Sequence, residues 1–271
     1  MIDFDCIQDW EESFTECLDP YAPASIREQI AASNPKYVED ARDTLFRLAG
    51  RRRVIDAAIA WITASHVCGY HGSRLTPGEV ESIRARGLLP LTAESRRARL
   101  ERALGSHPRW NQVQQSLADA LQAHGQGERA GRRENQVHLT LSRCGLVNSF
   151  NHYLTHGSEF DQHVAQSLLG DEGYELLGRD GRPFLVHVRV PGAAAIAAAH
   201  PYFSLEDTIS RNSAPNIIGE FLETWSFRIA NPDFQPASLE IDCGMVFRSG
   251  SSVPGEWITE IEEISDTALS D

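Results

Sequence analysis

The sequence predicts an α+β protein: a helical N-terminal part, residues 1–65, followed by a domain over 66–271 built on a mostly antiparallel or mixed β-sheet. Three observations predict this. Apolar residues recur at helical spacing through the first 65 positions. "RPFLVHVRVPG" sets Phe184, Val186, Val188 and Val190 against Leu185, His187 and Arg189, the period-two alternation of a strand. After residue 65, short strands and helices follow one another without the regular β-α rhythm of a parallel sheet, and neither GxGxxG nor GxxxxGK[ST] occurs.

In order along the chain, "SNPKYVEDARDTLFRLAG" offers Ser33 or Asn34 as a helix cap, Pro35 at the first helical position and Gly50 as a stop. In "RRRVIDAAIAWITASH", Val54, Ile55, Ala58, Ile59 and Ile62 make an apolar helix face. "HVCGYHGSR" reads as a short buried strand. "LTPGEVESIRARGLLPL" follows as a capped helix, with Thr76 at the N-cap, Pro77 at N1, Glu79 closing a capping box and Gly87 ending it. One or two very polar helices come next, then a linker or loop over Gly125 to Glu134. "QVHLTLSR" (136–143) alternates as a strand, and "HGSEFDQHVAQSLLG" reads as a helix. Helices are expected near 204–210 and 215–224, then two terminal strands joined by a Gly/Ser turn.

The net charge of −13 disfavours broad non-specific binding to duplex nucleic acid. It leaves room for local basic surfaces at Arg51-Arg52-Arg53 and Arg96-Arg97-Ala98-Arg99, which are either solvated helix faces or contacts to nucleic acid or phosphate. The five cysteines are odd in number, widely spaced and without a CxxC, which points to a reducing compartment rather than a disulfide scaffold. His66, Cys68 and His71 have the residue types of a metal cluster but no second ligand pair at finger-like spacing, so no metal is expected. The acidic start "MIDFDCIQDWEESF" lacks the features of a secretion signal, and "VPGAAAIAAA" is too short to span a bilayer. A soluble, cytoplasmic protein without membrane contact is expected. Delivery into another cell by a signal-independent route is compatible with this.

"YHGSRL" on a strand, followed by a helix and "RGLLPL", resembles the first motif of the ADP-ribosyltransferase fold, in its histidine-bearing branch of diphtheria-toxin-type and poly-ADP-ribose-polymerase-type enzymes with bacterial and phage relatives. The resemblance covers about residues 66–264 and rests chiefly on that motif; the remainder is the order of elements, including a closing strand pair with "VPGEWI". It implies a split mixed or antiparallel sheet core and NAD as substrate, with ADP-ribose transferred to a macromolecular acceptor, protein or nucleic acid, in a toxin, effector or phage-conflict setting. It also implies residue roles. His71 would hold an NAD ribose hydroxyl, Gly72 would set its backbone against the nicotinamide amide, and Ser73 and Arg74 lie next along the edge, Arg74 as a pyrophosphate contact. The second motif position is Ser142 or Tyr153. The third is a late-strand glutamate, Glu240 by position, with Asp242, Glu220, Glu223 and Glu256 competing; no Glu-x-Glu or Gln-x-Glu doublet stands out. A carboxylate is wanted because cleaving the nicotinamide–ribose bond builds positive charge on the sugar.

Each residue also has a structural reading: a hydrogen-bonded His71, an ion-paired Arg74, a satisfied Ser142, a half-buried Tyr153 and a surface Glu240. Three further readings stay open. One is a degenerate member of the fold that binds without catalysis, with residues 1–65 as a partner surface. Another is an NAD glycohydrolase, and the last a metal-dependent hydrolase on His66, Cys68 and His71.

Overall fold

The computed structural model describes residues 1–125, 136–199, 216–241, 243–248 and 251–269. The expected linker over Gly125 to Glu134, the helix near 204–210 and the candidate Asp242 lie outside the described residues, apart from Gly125, which closes a helix. In chain order the elements are α1 (Glu11–Leu18), α2 (Ala24–Ala32), α3 (Val38–Leu45), α4 (Arg51–Thr63), β1 (His66–Leu75), α5 (Pro77–Arg86), α6 (Ala93–Leu104), α7 (Trp110–Val113) and α8 (Leu117–Gly125). They continue with β2 (Val137–Thr140), α9 (His152–His156), α10 (Glu159–Leu169), α11 (Asp171–Arg179), β3 (Arg182–Pro191), α12 (Gly192–Ala198), α13 (Asn216–Ala230), β4 (Gly244–Phe247) and β5 (Ile258–Glu263). Helices and one five-stranded sheet, in the order β4-β2-β1-β3-β5, make this an α+β chain. β3 and β5 pair antiparallel, with Phe184 opposite Glu263 and a register shift between His187 and Val188.

The terminal strands do not form the expected hairpin, since β4 and β5 lie at opposite edges of the sheet order. The segment between them is drawn elsewhere: Val253 and Leu88 exchange backbone hydrogen bonds at 3.0 and 2.9 Å. Gly87 makes room for this bridge. A Cβ there would fall 1.9 Å from the Val253 carbonyl oxygen, and its φ of +79° suits glycine.

The chain divides into two compact units that do not follow the 65/66 boundary. One comprises Met1–Gly69, Leu139–Gly145 and Arg189–Val246. The helices expected in residues 1–65 are present, but α13 completes their core. Phe221 packs edge-on against Phe4 and Trp10 at 5.3 and 4.9 Å, and Trp225 against Phe14 at 6.0 Å. The Trp225 indole N–H donates to Thr15 at 2.9 Å. Large buried rings dominate core energetics, so residues 1–65 and α13 belong to one folding unit. The cap expected at Ser33 or Asn34 sits later: Ser33 closes α2, Asn34 has φ +48°, and Asp40 accepts the Tyr37 N–H at 3.1 Å where α3 begins.

The other unit comprises Tyr70–His138, Leu146–Val188 and Phe247–Asp271. Its core is formed by Leu100, Leu104 and Leu117 with Phe160, Val164 and Leu169, which brings α6, α8 and α10 together. Here α5 follows the sequence reading closely: Thr76 accepts the Glu79 N–H at 3.3 Å, and the Glu79 carboxylate accepts the Thr76 N–H at 2.7 Å.

Candidate functional site

His71 lies on β1, half-buried, in the second unit. Its Nδ1 is 2.9 Å from the His138 carbonyl oxygen. A carbonyl can only accept, so Nδ1 carries the proton and Nε2 of the neutral ring is left as an acceptor. Burial holds the His71 pKa below the ordinary histidine value; the nearby Arg99 charge adds to this and the His138 bond opposes it. His71 therefore presents a neutral ring of defined tautomer, which suits a hydroxyl donor.

The neighbouring residues are used inside the fold. A Cβ on Gly72 would come within 3.0 Å of Leu146 and 3.2 Å of Leu154, so the missing side chain makes room for packed leucines. Ser73 is buried, its hydroxyl 3.4 Å from the Arg74 carbonyl oxygen. Arg74 is buried as well. Its guanidinium donates to the carbonyls of Asp180 (3.4 Å), Leu154 (3.4 Å) and Gly181 (2.7 Å) and to the Asp266 carboxylate (3.1 Å). Four of its five N–H groups are thus committed, and this is not the open fork a pyrophosphate contact needs.

The two candidates for the second position differ in setting. Ser142, in the first unit, is fully buried; its hydroxyl donates to Asp5 at 2.8 Å and accepts the Gly145 N–H at 2.9 Å, which ends β2 and starts the next turn. Tyr153, in the second unit with His71, is half-buried on α9, its ring 4.1 Å from that of His152. The next residue, Leu154, packs at Gly72 and accepts from Arg74, so α9 is seated against β1.

Glu240 does not lie on a strand. It is exposed, has φ +48° and ψ +44°, and follows the short helix Pro236–Leu239 in the first unit. Pro236 starts that helix, and β4 begins only at Gly244. Glu220 and Glu223 lie on α13 in the same unit, facing Arg42, which pairs with Glu223. Burial, with Glu223 and Glu39 close by, pushes Glu220 up to about 7. Glu256 is exposed in the turn before β5.

One carboxylate doublet stands outside the candidates above. Glu260 and Glu262 form a Glu-x-Glu pair on β5, in the unit that holds His71. Glu262 Oε2 lies 2.9 Å from His187 Nε2, and the His187 ring meets Tyr70 edge-on at 5.2 Å. Tyr70, His187 and Glu262 make a row across β1, β3 and β5. The doublet is present in "ITEIEE", on the second of the two expected terminal strands.

Among the described residues, no three His, Cys, Asp or Glu side chains are grouped to hold a metal ion. His66 and Cys68 share a strand face by parity, while His71 takes the other. No helix among the described residues is long and apolar enough to cross a membrane. No protein-family model matches the chain, and no curated protein or solved structure matches it.

Proposed function

We propose that the chain has an ADP-ribosyltransferase-like fold, takes NAD as a substrate and cleaves its nicotinamide–ribose bond, passing ADP-ribose to a macromolecular acceptor. The observation that supports this most is the state of His71: a neutral ring with Nδ1–H spent on a backbone carbonyl and Nε2 left to accept a ribose hydroxyl. The setting of α9 against β1 favours Tyr153 over Ser142 as the aromatic partner of that strand.

In the proposed reaction the C–N bond to the sugar breaks and its electron pair leaves with nicotinamide. The acceptor oxygen or nitrogen then bonds the anomeric carbon and gives up its proton. A carboxylate stabilises the positive sugar and takes that proton. Glu262, on a strand in the unit of His71, and Glu240, in the turn after residues 236–239, are the two candidates. Arg74 has no part in this reading, because its N–H groups are already held. With water as acceptor, the same steps make an NAD glycohydrolase.

A second reading is favoured by the closure of Arg74, Ser142 and Gly72 into the fold: a module that binds a ligand or partner without catalysis. The test is incubation of the protein with NAD, with free nicotinamide read by mass spectrometry and NAD binding read by calorimetry. The transferase or hydrolase reading expects release in the parent and at least a tenfold loss in His71→Ala. Either Glu262→Gln or Glu240→Gln should lose a further 10²–10⁴-fold, roughly the share carried by a general base. Binding that depends on His71 without release would select the non-catalytic module. Neither binding nor release would overturn the NAD reading and leave a module for another ligand or partner.

A further inference from the structure

The two arginine clusters of the sequence are used in opposite ways. In the second, Arg96 is buried with its guanidinium 4.1 Å over the Phe160 ring, Arg97 pairs with Glu101 at 3.0 Å, and Arg99 lies 3.8 Å from the buried Asp161. In that cluster Arg96 and Arg99 are internal structure and Arg97 is a surface residue already paired. In the first, a π-type turn over Phe46–Gly50 hands over to α4, and Arg47, Arg51, Arg52 and Arg53 are all exposed. Arg52 pairs with Asp56 at 2.8 Å, one turn along the helix. Among the described residues, Arg47, Arg51 and Arg53 reach no carboxylate. Arg51 and Arg42 instead lie over the Phe46 ring, at 5.3 and 5.8 Å.

Among the described residues Arg189, exposed on β3, also reaches no carboxylate but stands alone; three together are unusual for this chain. It has 38 carboxylates against 25 cationic residues, so surface arginines have partners in abundance. Arg97, Arg109, Arg179 and Arg182 each hold a carboxylate within 3.2 Å. Arg84 and Arg86 lie in the last turn of α5, where the negative end of the helix favours them. Arg51 and Arg53 are in the first turn of a 13-residue helix with no acidic residue there, so their charge meets the roughly half-unit positive charge of the helix end. For folding alone this arrangement is unfavourable, and an external anion would relieve it.

We propose that the Arg47–Arg53 surface is a docking site for the phosphodiester backbone of a nucleic acid. A guanidinium grips two phosphate oxygens at once, and a backbone offers its charges in an unbroken row, which suits three free guanidiniums within seven residues. Phe46 steadies Arg51 through its ring face and leaves the N–H groups for the ligand. The acidic residues within 42–56 are already engaged, Asp43 by Arg42, which Glu223 shares, and Asp56 by Arg52. The wider charge of −13 acts weakly beyond the Debye length of about 8 Å at physiological salt. A lipid surface fits less well, since it needs an apolar anchor beside the cations. The exposed large apolar residues among those described, Met1, Tyr21, Tyr37 and Leu89, all lie outside 42–53. The inference does not depend on the NAD reading, whose His71 belongs to the other unit.

The test compares the full chain with the triple variant Arg47→Gln/Arg51→Gln/Arg53→Gln, using fluorescence anisotropy of a labelled RNA oligonucleotide and a labelled DNA duplex. Three phosphate contacts predict that affinity falls roughly 15- to 40-fold between about 50 and 200 mM salt. The triple variant should bind at least tenfold more weakly while its melting temperature holds or rises, because like charge has left a helix N-terminus. Arg97→Gln, which removes a surface arginine of the other kind, should leave binding unchanged. The proposal is overturned if the parent binds neither nucleic acid. It is equally overturned if the triple variant binds as tightly as the parent, or if polyglutamate or phosphatidylserine vesicles outcompete the nucleic acids.

Discussion

Arg74 carries its charge into the interior beside β1, where three backbone carbonyls and the exposed Asp266 carboxylate surround it. The carbonyls belong to Leu154, Asp180 and Gly181, so one side chain ties α9 and the turn before β3 to the strand that bears His71. Lysine keeps the charge but loses the planar fork, and it cannot reach all four oxygens. Arg74→Lys is therefore expected to cost about 2–4 kcal/mol, as buried polar groups lose their partners, and urea unfolding measures it. Unchanged stability with weakened NAD binding would instead make Arg74 a ligand contact. From the sequence the two roles look identical, since "HGSR" carries no record of where residues 154, 180, 181 and 266 will fall. Ser142 was illegible for the same reason: its partner Asp5 lies 137 positions away. His71 was legible as a strand residue from local pattern, and it lies in the middle of β1.

Elements were read well where their signals are local. Thr76, Pro77, Glu79 and Gly87 spell the start and end of α5, and the structure has the helix at Pro77–Arg86 with both capping bonds made. Thr76→Ala removes one acceptor of the box and is expected to destabilise the chain by about 1 kcal/mol, seen as a lower urea midpoint at unchanged slope. Thr76→Ser should restore most of it. β3 was legible because Phe184, Val186, Val188 and Val190 alternate with Leu185, His187 and Arg189. β5 is the second of the two expected terminal strands, but its place at the sheet edge beside β3, with Glu262 on His187, depends on partners far away in sequence. The pairing of the last two strands was misjudged because nearness in sequence suggested a hairpin, while the Leu88–Val253 bridge directs the chain elsewhere. Composition changes at 65/66, while the aromatic core of residues 1–65 also takes in Phe221 and Trp225 from far along the chain.

At the scale of the whole molecule, groups displaced in opposite directions shape stability against pH. His71 and His156 are held below the ordinary histidine value, chiefly by burial. The unfolded chain takes up their protons first, so their contribution is complete above about pH 6.5 and is lost as pH falls below it. Glu79 is lowered by its bonds to Thr76 and the charges of Arg99 and Arg102 against the pull of burial, and its contribution is lost at still lower pH. Glu220 works the other way. Burial first, then Glu223 and Glu39, push it up to about 7 against the pull of Arg42. Between the unfolded value near pH 4.5 and about pH 7, the folded chain holds a proton that the unfolded chain has released, so stability falls as pH rises through that window. Glu220→Gln keeps the shape and removes the ionisation. It is expected to change little near pH 5 and to stabilise the chain near pH 8 by up to about 3 kcal/mol. Trp10, Trp61 and Trp225 share a unit with Glu220, so denaturant unfolding followed by tryptophan fluorescence at the two pH values reads the difference. An equal effect at both would show that Glu220 matters through packing on α13 and not through its proton.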